Sequence, residues 1–266
     1  MQIQGSIAVV TGAASGLGRA TAAMLHAQGA RVAGIDLAGA QLDELAQWPD
    51  TLALAGDVAS AADMEAAFAR IHSTWGVPAI LVNCAGVLGP ARVFQHDKAT
   101  GRIVPRPMAP FRRVVAINLT GTFNTIRLFA QGLAQAGPAS DGVERGVVVN
   151  TASVAAYEAL SAQAAYGASK AGVASMTLPL ARELARWGIR VVALAPGTFE
   201  TGMYDVIPDH TRRTLISDVP FPNRPGRPDE FAHMARAVIE NQMMNGSVVR
   251  IDGAVRMREP VSEAHR

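Results

Sequence analysis

The sequence predicts an α/β fold: a doubly wound parallel sheet with helices on both faces, forming one domain over 1–266. Three observations predict it. Short apolar, β-branched runs alternate along the chain with longer segments of helical period. The first run empties through TGAASGLG at 11–18 straight into a helical pattern. No linker, composition break or internal repeat divides the 266 residues.

The elements follow in order. Residues 7–11 (IAVVT) read as a buried parallel strand. In the turn that follows, Gly12 allows a tight reversal, Gly16 lets backbone approach a pyrophosphate, and Gly18 permits close helix–strand packing. Ser15, Gly16, Leu17 and Gly18 open the helix, whose N-terminal N–H groups suit an anion. Leu17, Ala20, Met24 and Leu25 share its apolar face, and Gly29 stops it. The second strand, 31–36, ends on Asp36, 18 residues after Gly18. That spacing suits a carboxylate accepting from adenosine ribose hydroxyls, while no arginine follows to welcome a 2′-phosphate. The pattern therefore predicts NAD(H) over NADP(H); the alternative is an Asp that only starts a turn. A short helix at 40–47 precedes a strand at 51–55. Asp57 and Val58 then either flank an adenine or begin a loop. A helix with Ala61, Met64, Phe68, Ile71 and Trp75 on one face leads to the strand 79–82. That strand delivers Asn83, Cys84, Ala85 and Gly86, small residues that leave ligand room at a strand end.

Residues 87–110 carry four prolines, lack clean periodicity and read as an irregular insert. A long helix is predicted over 111–136, with Asn118 as a poor interior residue, either placed for a local job or facing solvent. The strand 146–150 follows, then a helix over 164–187 interrupted by Pro179. A strand at 189–195 ends in Pro196, Gly197 and Thr198. A second proline-rich insert spans 198–228, before a helix at 229–241 and a strand at 248–251.

Composition excludes several function classes. A formal net charge of +2 with scattered arginines gives no basic stripe for nucleic acid. One cysteine rules out an intrachain disulfide framework and a multi-thiolate zinc site. The six histidines show no metal-ligand spacing. No apolar run approaches a membrane span of about 20 residues, and the N-terminus reads as strand rather than targeting signal.

The chemistry concentrates in NTASVAAYEALSAQAAYGASK at 150–170. Tyr166 and Lys170 stand at i and i+4, on one helix face. An ammonium beside a phenol is expected to lower the phenol pKa toward neutrality, so that it exchanges a proton with an alcohol or carbonyl. Ser153 can hold the same oxygen. Only two of 24 basic residues are lysines, Lys98 and Lys170, and of the three tyrosines only Tyr166 has a lysine four residues on. Cys84 reads as a small buried hydrophobe without a base partner. Gln163 either touches a polar substrate group or is an exposed helix-start residue.

Taken together, TGxxxGxG at 11–18, Asp36, Asp57, NxAG at 83–86, Asn118, Ser153, YxxxK at 166–170 and PG at 196–197 resemble the short-chain dehydrogenase/reductases. The resemblance covers nearly the whole chain; Cys84 departs from it, where many members carry a second Asn. The runs at 150–184, 219–241 and 245–257, with the long insert after NxAG, look like the type-2 3-hydroxyacyl-CoA dehydrogenase branch. The resemblance implies a Rossmann-type enzyme that interconverts a secondary alcohol and a ketone, 3-hydroxyacyl-CoA and 3-oxoacyl-CoA, with NAD. Other implied readings are a hydroxysteroid or other secondary-alcohol dehydrogenase and a 3-oxoacyl-carrier-protein reductase, the last disfavoured by Asp36. A non-catalytic NAD-binding regulator is the reading from a different class, and the intact Ser153, Tyr166, Lys170 set argues against it. It implies Tyr166 as general base, Lys170 on the nicotinamide ribose, Ser153 and Gln163 toward substrate, and Asn118 holding a relay water. Pro196, Gly197 and Thr198 then shape the nicotinamide side. The branch also implies a homotetramer, and the absence of a targeting pattern a cytoplasmic one. Arg102, Arg106, Arg212 and Arg213 either meet coenzyme A phosphates or are solvated loop residues.

Overall fold

A computed structural model describes residues 1–202 and 209–259; part of the second insert, with Tyr204, lies outside the described residues. Among the described residues the main sheet has seven strands. They are β1 (Ile7–Thr11), β2 (Arg31–Asp36), β3 (Thr51–Ala55), β4 (Ile80–Asn83), β7 (Gly146–Thr151), β8 (Ile189–Pro196) and β9 (Val248–Ile251). Their order is β3-β2-β1-β4-β7-β8-β9, and every pairing is parallel. The chain winds outward from β1 through β2 to β3, then returns to β4 on the other side. The switch between β1 and β4 opens a crevice at the strands' carboxyl ends, where ligands of such sheets bind.

Alternation along the strands divides the core in two. Ala8, Val10, Ile80, Val82, Val147 and Val149 face one layer with Ala22 and Leu25 of α1 (Gly16–Ala27) and Leu42 and Leu45 of α2 (Ala40–Leu45). Ile7, Val9, Leu81 and Val148 face the other, with Met64, Phe68 and Ile71 of α3 (Ala61–Trp75). The helices of both layers are amphipathic, so each buries its apolar face on the sheet and no second core is needed.

Two expectations change. The first insert is not irregular throughout: β5 (Phe94–His96) and β6 (Ile103–Pro105) pair as an antiparallel hairpin. Its strands are three residues long and mostly exposed, so they carry no alternation to detect. The long helix predicted at 111–136 starts earlier and is interrupted. It runs as α4 (Ala109–Val115), a π-helical turn (Ala116–Gly121) and α5 (Thr122–Ala134). Asn118 lies inside the π turn, a distortion that collects at functional sites. Then come α6 (Ala155–Glu158) and α7 (Ala164–Leu184), which continues through Pro179, followed by α8 (Asp209–Ser217) and α9 (Pro228–Glu240). Phe231, Ala235, Val238 and Ile239 of α9 close the layer of α1 and α2.

Candidate active site

The glycine turn is built by close backbone approach. A Cβ on Gly18 would lie 2.0 Å from the Gly12 carbonyl oxygen, and one on Gly12, at φ +67, 2.7 Å from the Ala85 nitrogen. Gly16, at φ +50, faces the Thr201 side chain, so the start of the second insert reaches the turn. Ser15 occupies the N-cap of α1 without making a side-chain cap, and the first turn holds no acid. The end of α1 therefore offers N–H groups and a positive dipole to an anion. Leu17 leans on the core beneath. Asp36 closes over the turn: Oδ2 accepts the Ala14 N–H at 2.8 Å and Oδ1 that of Leu37 at 2.8 Å. Each carboxylate oxygen keeps a lone pair free for a hydroxyl.

Other predicted cofactor residues have jobs in the scaffold. Asn83 is buried, and its Oδ1 accepts from the hydroxyls of Thr125 (2.8 Å) and Thr11 (3.3 Å). Its Nδ2 donates to Asn150 Oδ1 at 3.0 Å, directly across the β4–β7 register. This side chain ties three strand ends to α5, leaving only the Asn83 backbone for a ligand. The Ala85 N–H is held by Thr11 Oγ1 at 3.2 Å. The Asp57 carboxylate accepts the Ala59 N–H at 2.9 Å, closing a turn. Val58 is buried against Gly121 of the π turn, where an added Cβ would sit 2.7 Å from its Cγ2. Opposite, the Pro196 carbonyl accepts the Val154 N–H at 3.1 Å and the Gly197 N–H donates to Ile251 at 2.9 Å. The Thr198 carbonyl accepts the Gly226 N–H at 2.9 Å, which joins the two ends of the second insert.

Ser153, Tyr166 and Lys170 come together at the end of β7 and the first turns of α7. Lys170 is 4% exposed, and its Nζ donates to the Thr151 carbonyl at 2.6 Å. It lies 5.9 Å from the centroid of the Tyr166 ring. Burial pulls the Lys170 ammonium down to about 8. Burial also raises the Tyr166 phenol above its ordinary value, and a hydrogen bond with Ser153 opposes the rise. This corrects the sequence expectation that Lys170 lowers the phenol. Lys170 is buried and Tyr166 half-buried, desolvation disfavours the charged form of each, and the lysine's hydrogen bond goes to a carbonyl. Ser153 Oγ accepts the Ala155 N–H at 3.1 Å, which fixes it at the start of α6. Cys84 is half-buried rather than buried as expected; desolvation pushes it up to about 11, so its thiol stays protonated.

Asn118 is fully buried, which excludes the solvent-facing reading. Its Oδ1 accepts the Val87 N–H at 2.8 Å while Nδ2 donates to the Val87 carbonyl at 3.0 Å and to Ser169 Oγ at 3.1 Å. The amide thus mimics a strand partner and anchors the first insert to α7. Gly86 lies between it and the lysine: a Cβ there would be 3.3 Å from Asn118 Oδ1 and 3.6 Å from Lys170 Nζ. Gln163 turns back, its Oε1 accepting the Leu160 N–H at 3.0 Å. Arg102, Arg106 and Arg213 are exposed and Arg212 half-buried. Sequence reasoning missed the Thr151 carbonyl, because a backbone acceptor leaves no trace in residue type.

The comparisons agree with this geometry. A family model described as short chain dehydrogenase matches residues 6–211. The 3-hydroxyacyl-CoA dehydrogenase type-2 of Bos taurus is 44% identical over 258 residues, covering 96% of this chain and 97% of that protein. The Homo sapiens protein of the same name is 43% identical over the same shares. A crystal structure of 3-hydroxyacyl-CoA dehydrogenase type-2 from Mycobacterium avium superposes with a TM-score of 0.85 at 38% identity, covering 97% of this chain and 99% of that one. With its glycine turn, its Ser153, Tyr166 and Lys170 cluster and these full-length likenesses, the chain belongs to the short-chain dehydrogenase family and is an oxidoreductase.

Proposed function

We propose that the protein is an NAD-dependent 3-hydroxyacyl-CoA dehydrogenase that interconverts 3-hydroxyacyl-CoA and 3-oxoacyl-CoA, working as a homotetramer. The observation that carries this is the convergence of Ser153, Tyr166 and Lys170 at the same carboxyl end of the parallel sheet as the Asp36-closed glycine turn, in a chain 44% identical to a protein of that name over almost its full length.

The residues fit the cofactor. Gly12, Gly16 and Gly18 allow backbone contact with a pyrophosphate, and the uncapped start of α1 takes its charge. Asp36 takes the adenosine ribose and repels a 2′-phosphate. Held there, NAD would supply the hydride acceptor for the carbinol carbon. Tyr166 Oη takes the hydroxyl proton as the carbon–oxygen double bond forms, and returns it in the reverse direction. Ser153 Oγ orients the same oxygen. Lys170 would hold the nicotinamide ribose and, with a pKa near 8, pass the proton onward. Asn118, buried and anchored to Val87 and Ser169, holds the inner end of the relay across Gly86 from Lys170. Gly197 and Thr198 shape the nicotinamide face. The branch assignment supplies the acyl-CoA substrate.

The test is NADH oxidation with acetoacetyl-CoA, free acetoacetate and a ketosteroid compared at equal concentration. Efficient turnover of acetoacetyl-CoA with at least tenfold lower kcat/KM for the others, about 1.4 kcal/mol of transition-state discrimination, supports the reading. A preference for the ketosteroid overturns it.

A further inference from the structure

The segment after β9 does more than end the sheet. Residues 252–259 run as a strap across three loops, one of them the loop that carries Ser153, and each crossing has its own contact. At the nicotinamide-side turn, a Cβ on Gly197 would be 3.0 Å from Asp252 Cβ and 3.3 Å from Val255 Cγ1. Next to Ser153, Val154 packs with Val255, Val219 and Met257 in a small separate apolar cluster. At the base of the second insert, a Cβ on Gly253 would lie 2.7 Å from the Phe221 carbonyl oxygen. The strap therefore has no slack at Gly197 or Phe221.

Ion pairs fasten both flanks. On the Ser153 side, Glu158 ends the single-turn helix α6. Its Oε2 accepts the Met257 N–H at 2.7 Å and its Oε1 lies 2.7 Å from the Arg250 guanidinium. Arg250 also donates to Asp252 at 2.6 Å and to the Val255 carbonyl at 3.0 Å. The Ser161 N–H, in the stretch between Ser153 and Tyr166, donates to Glu259. On the insert side, Arg258 Nε donates to Asp218 Oδ1 at 2.9 Å. The asymmetry of that pair matters: the Asp218 side chain is 3% exposed and the Arg258 side chain 76%. A buried carboxylate is neutralised by an arginine that reaches in from solvent. Removing the arginine leaves an uncompensated buried charge, so the 218–221 backbone must shift to rehydrate it.

We propose that this strap is a positioning element for the reaction, with Arg258 and Asp218 as its positioning pair. It locks the Ser153–Tyr166 loop to the base of the second insert, so that substrate oxygen and substrate body are held in one register. The strap meets the nicotinamide-side Gly197 through Asp252 and Val255, and Arg250 holds both of these whether or not Arg258 is present, so NADH affinity should survive loss of the Arg258–Asp218 lock. The substrate readout below rests on the proposed acyl-CoA activity; the exchange readout does not.

The experiment compares wild type, Arg258→Met, Asp218→Asn and the double variant. Steady-state kinetics with acetoacetyl-CoA, NADH affinity and amide hydrogen exchange over 153–161 and 218–222 are measured on each. In Arg258→Met, kcat/KM for acetoacetyl-CoA falls on the order of tenfold, with kcat sharing the loss, at constant NADH affinity, and both peptides exchange faster. Adding Asp218→Asn, which removes the stranded charge and keeps the shape, returns both readouts most of the way. Three results overturn the proposal: unchanged exchange in Arg258→Met, an equal loss of NADH affinity, or a defect that Asp218→Asn does not relieve. If wild type ignores acetoacetyl-CoA, the functional reading fails and exchange alone decides the strap.

Discussion

Replacing Lys170 with methionine should make the protein more stable and its stability less dependent on pH. The side chain is 4% exposed and its ammonium is held near 8, against an ordinary value of 10.5. One pKa unit corresponds to about 1.36 kcal/mol, so burying the charged form costs about 3 kcal/mol at neutral pH. The hydrogen bond to the Thr151 carbonyl falls short of compensating, since it is already present in the folded state that shows the depression. The sign is fixed by linkage. Between about 8 and 10.5 the unfolded chain binds a proton that the folded chain has released, so stability rises with pH in that window. The contribution is complete above 10.5 and is lost as pH falls through about 8. Urea denaturation of wild type and Lys170→Met at pH 7 and pH 9.5 measures it. Wild type should gain roughly 2 kcal/mol relative to the variant over that interval. The absolute difference at pH 7 also contains the orphaned Thr151 carbonyl and the packing of the thioether; the difference between pH values does not. Parallel pH profiles for the two proteins would falsify the argument and restore Lys170 as an ordinarily solvated cation. The expected outcome makes Lys170 a residue kept for chemistry against stability.

Tyr166→Phe should abolish hydride transfer while leaving NADH binding within about twofold, read by turnover and by NADH fluorescence titration; retained turnover removes Tyr166 from the mechanism. In wild type, kcat/KM for alcohol oxidation should keep climbing with pH past the phenol's ordinary value of 10.0, and a plateau near pH 7 would show that the phenol is lowered after all. Asp36→Ala should weaken NAD binding by about 1.5–3 kcal/mol, the worth of a hydrogen bond to a charged group. It should also narrow the preference over NADP; equal rates with both cofactors in wild type would refute the reading of Asp36.

What was legible in the sequence shares one physical property: it is a constraint that residue type alone carries. Gly18 is required because any side chain would collide with the Gly12 carbonyl, and the buried strands read as apolar runs because both faces of a parallel sheet are covered. Tyr166 and Lys170 share a face by helical geometry alone. What was not legible depends on who the neighbours are. Asn83 looked like a ligand residue, yet its amide is consumed by Thr11, Thr125 and Asn150, brought in from three other elements. The hairpin at 94–96 and 103–105 is too short and too exposed to leave a pattern.

The protonation state of the Tyr166–Lys170 pair is the sharpest instance. Spacing places an ammonium near a phenol, and Coulomb's law then predicts a lowered phenol pKa. Spacing cannot say that Lys170 is buried and Tyr166 half-buried, nor that the Thr151 carbonyl at the end of β7 has taken the lysine's hydrogen bond. Desolvation acts on each group singly: it raises the Tyr166 phenol, a hydrogen bond with Ser153 opposes it, and the ammonium is engaged at the Thr151 carbonyl. Ser153 therefore carries a second consequence beyond orienting the substrate oxygen: its hydrogen bond is what draws the phenol back toward a usable pKa. Ser153→Ala should then lower kcat and also displace the pH profile for oxidation upward. A pure orienting role would lower kcat and leave the profile where it was.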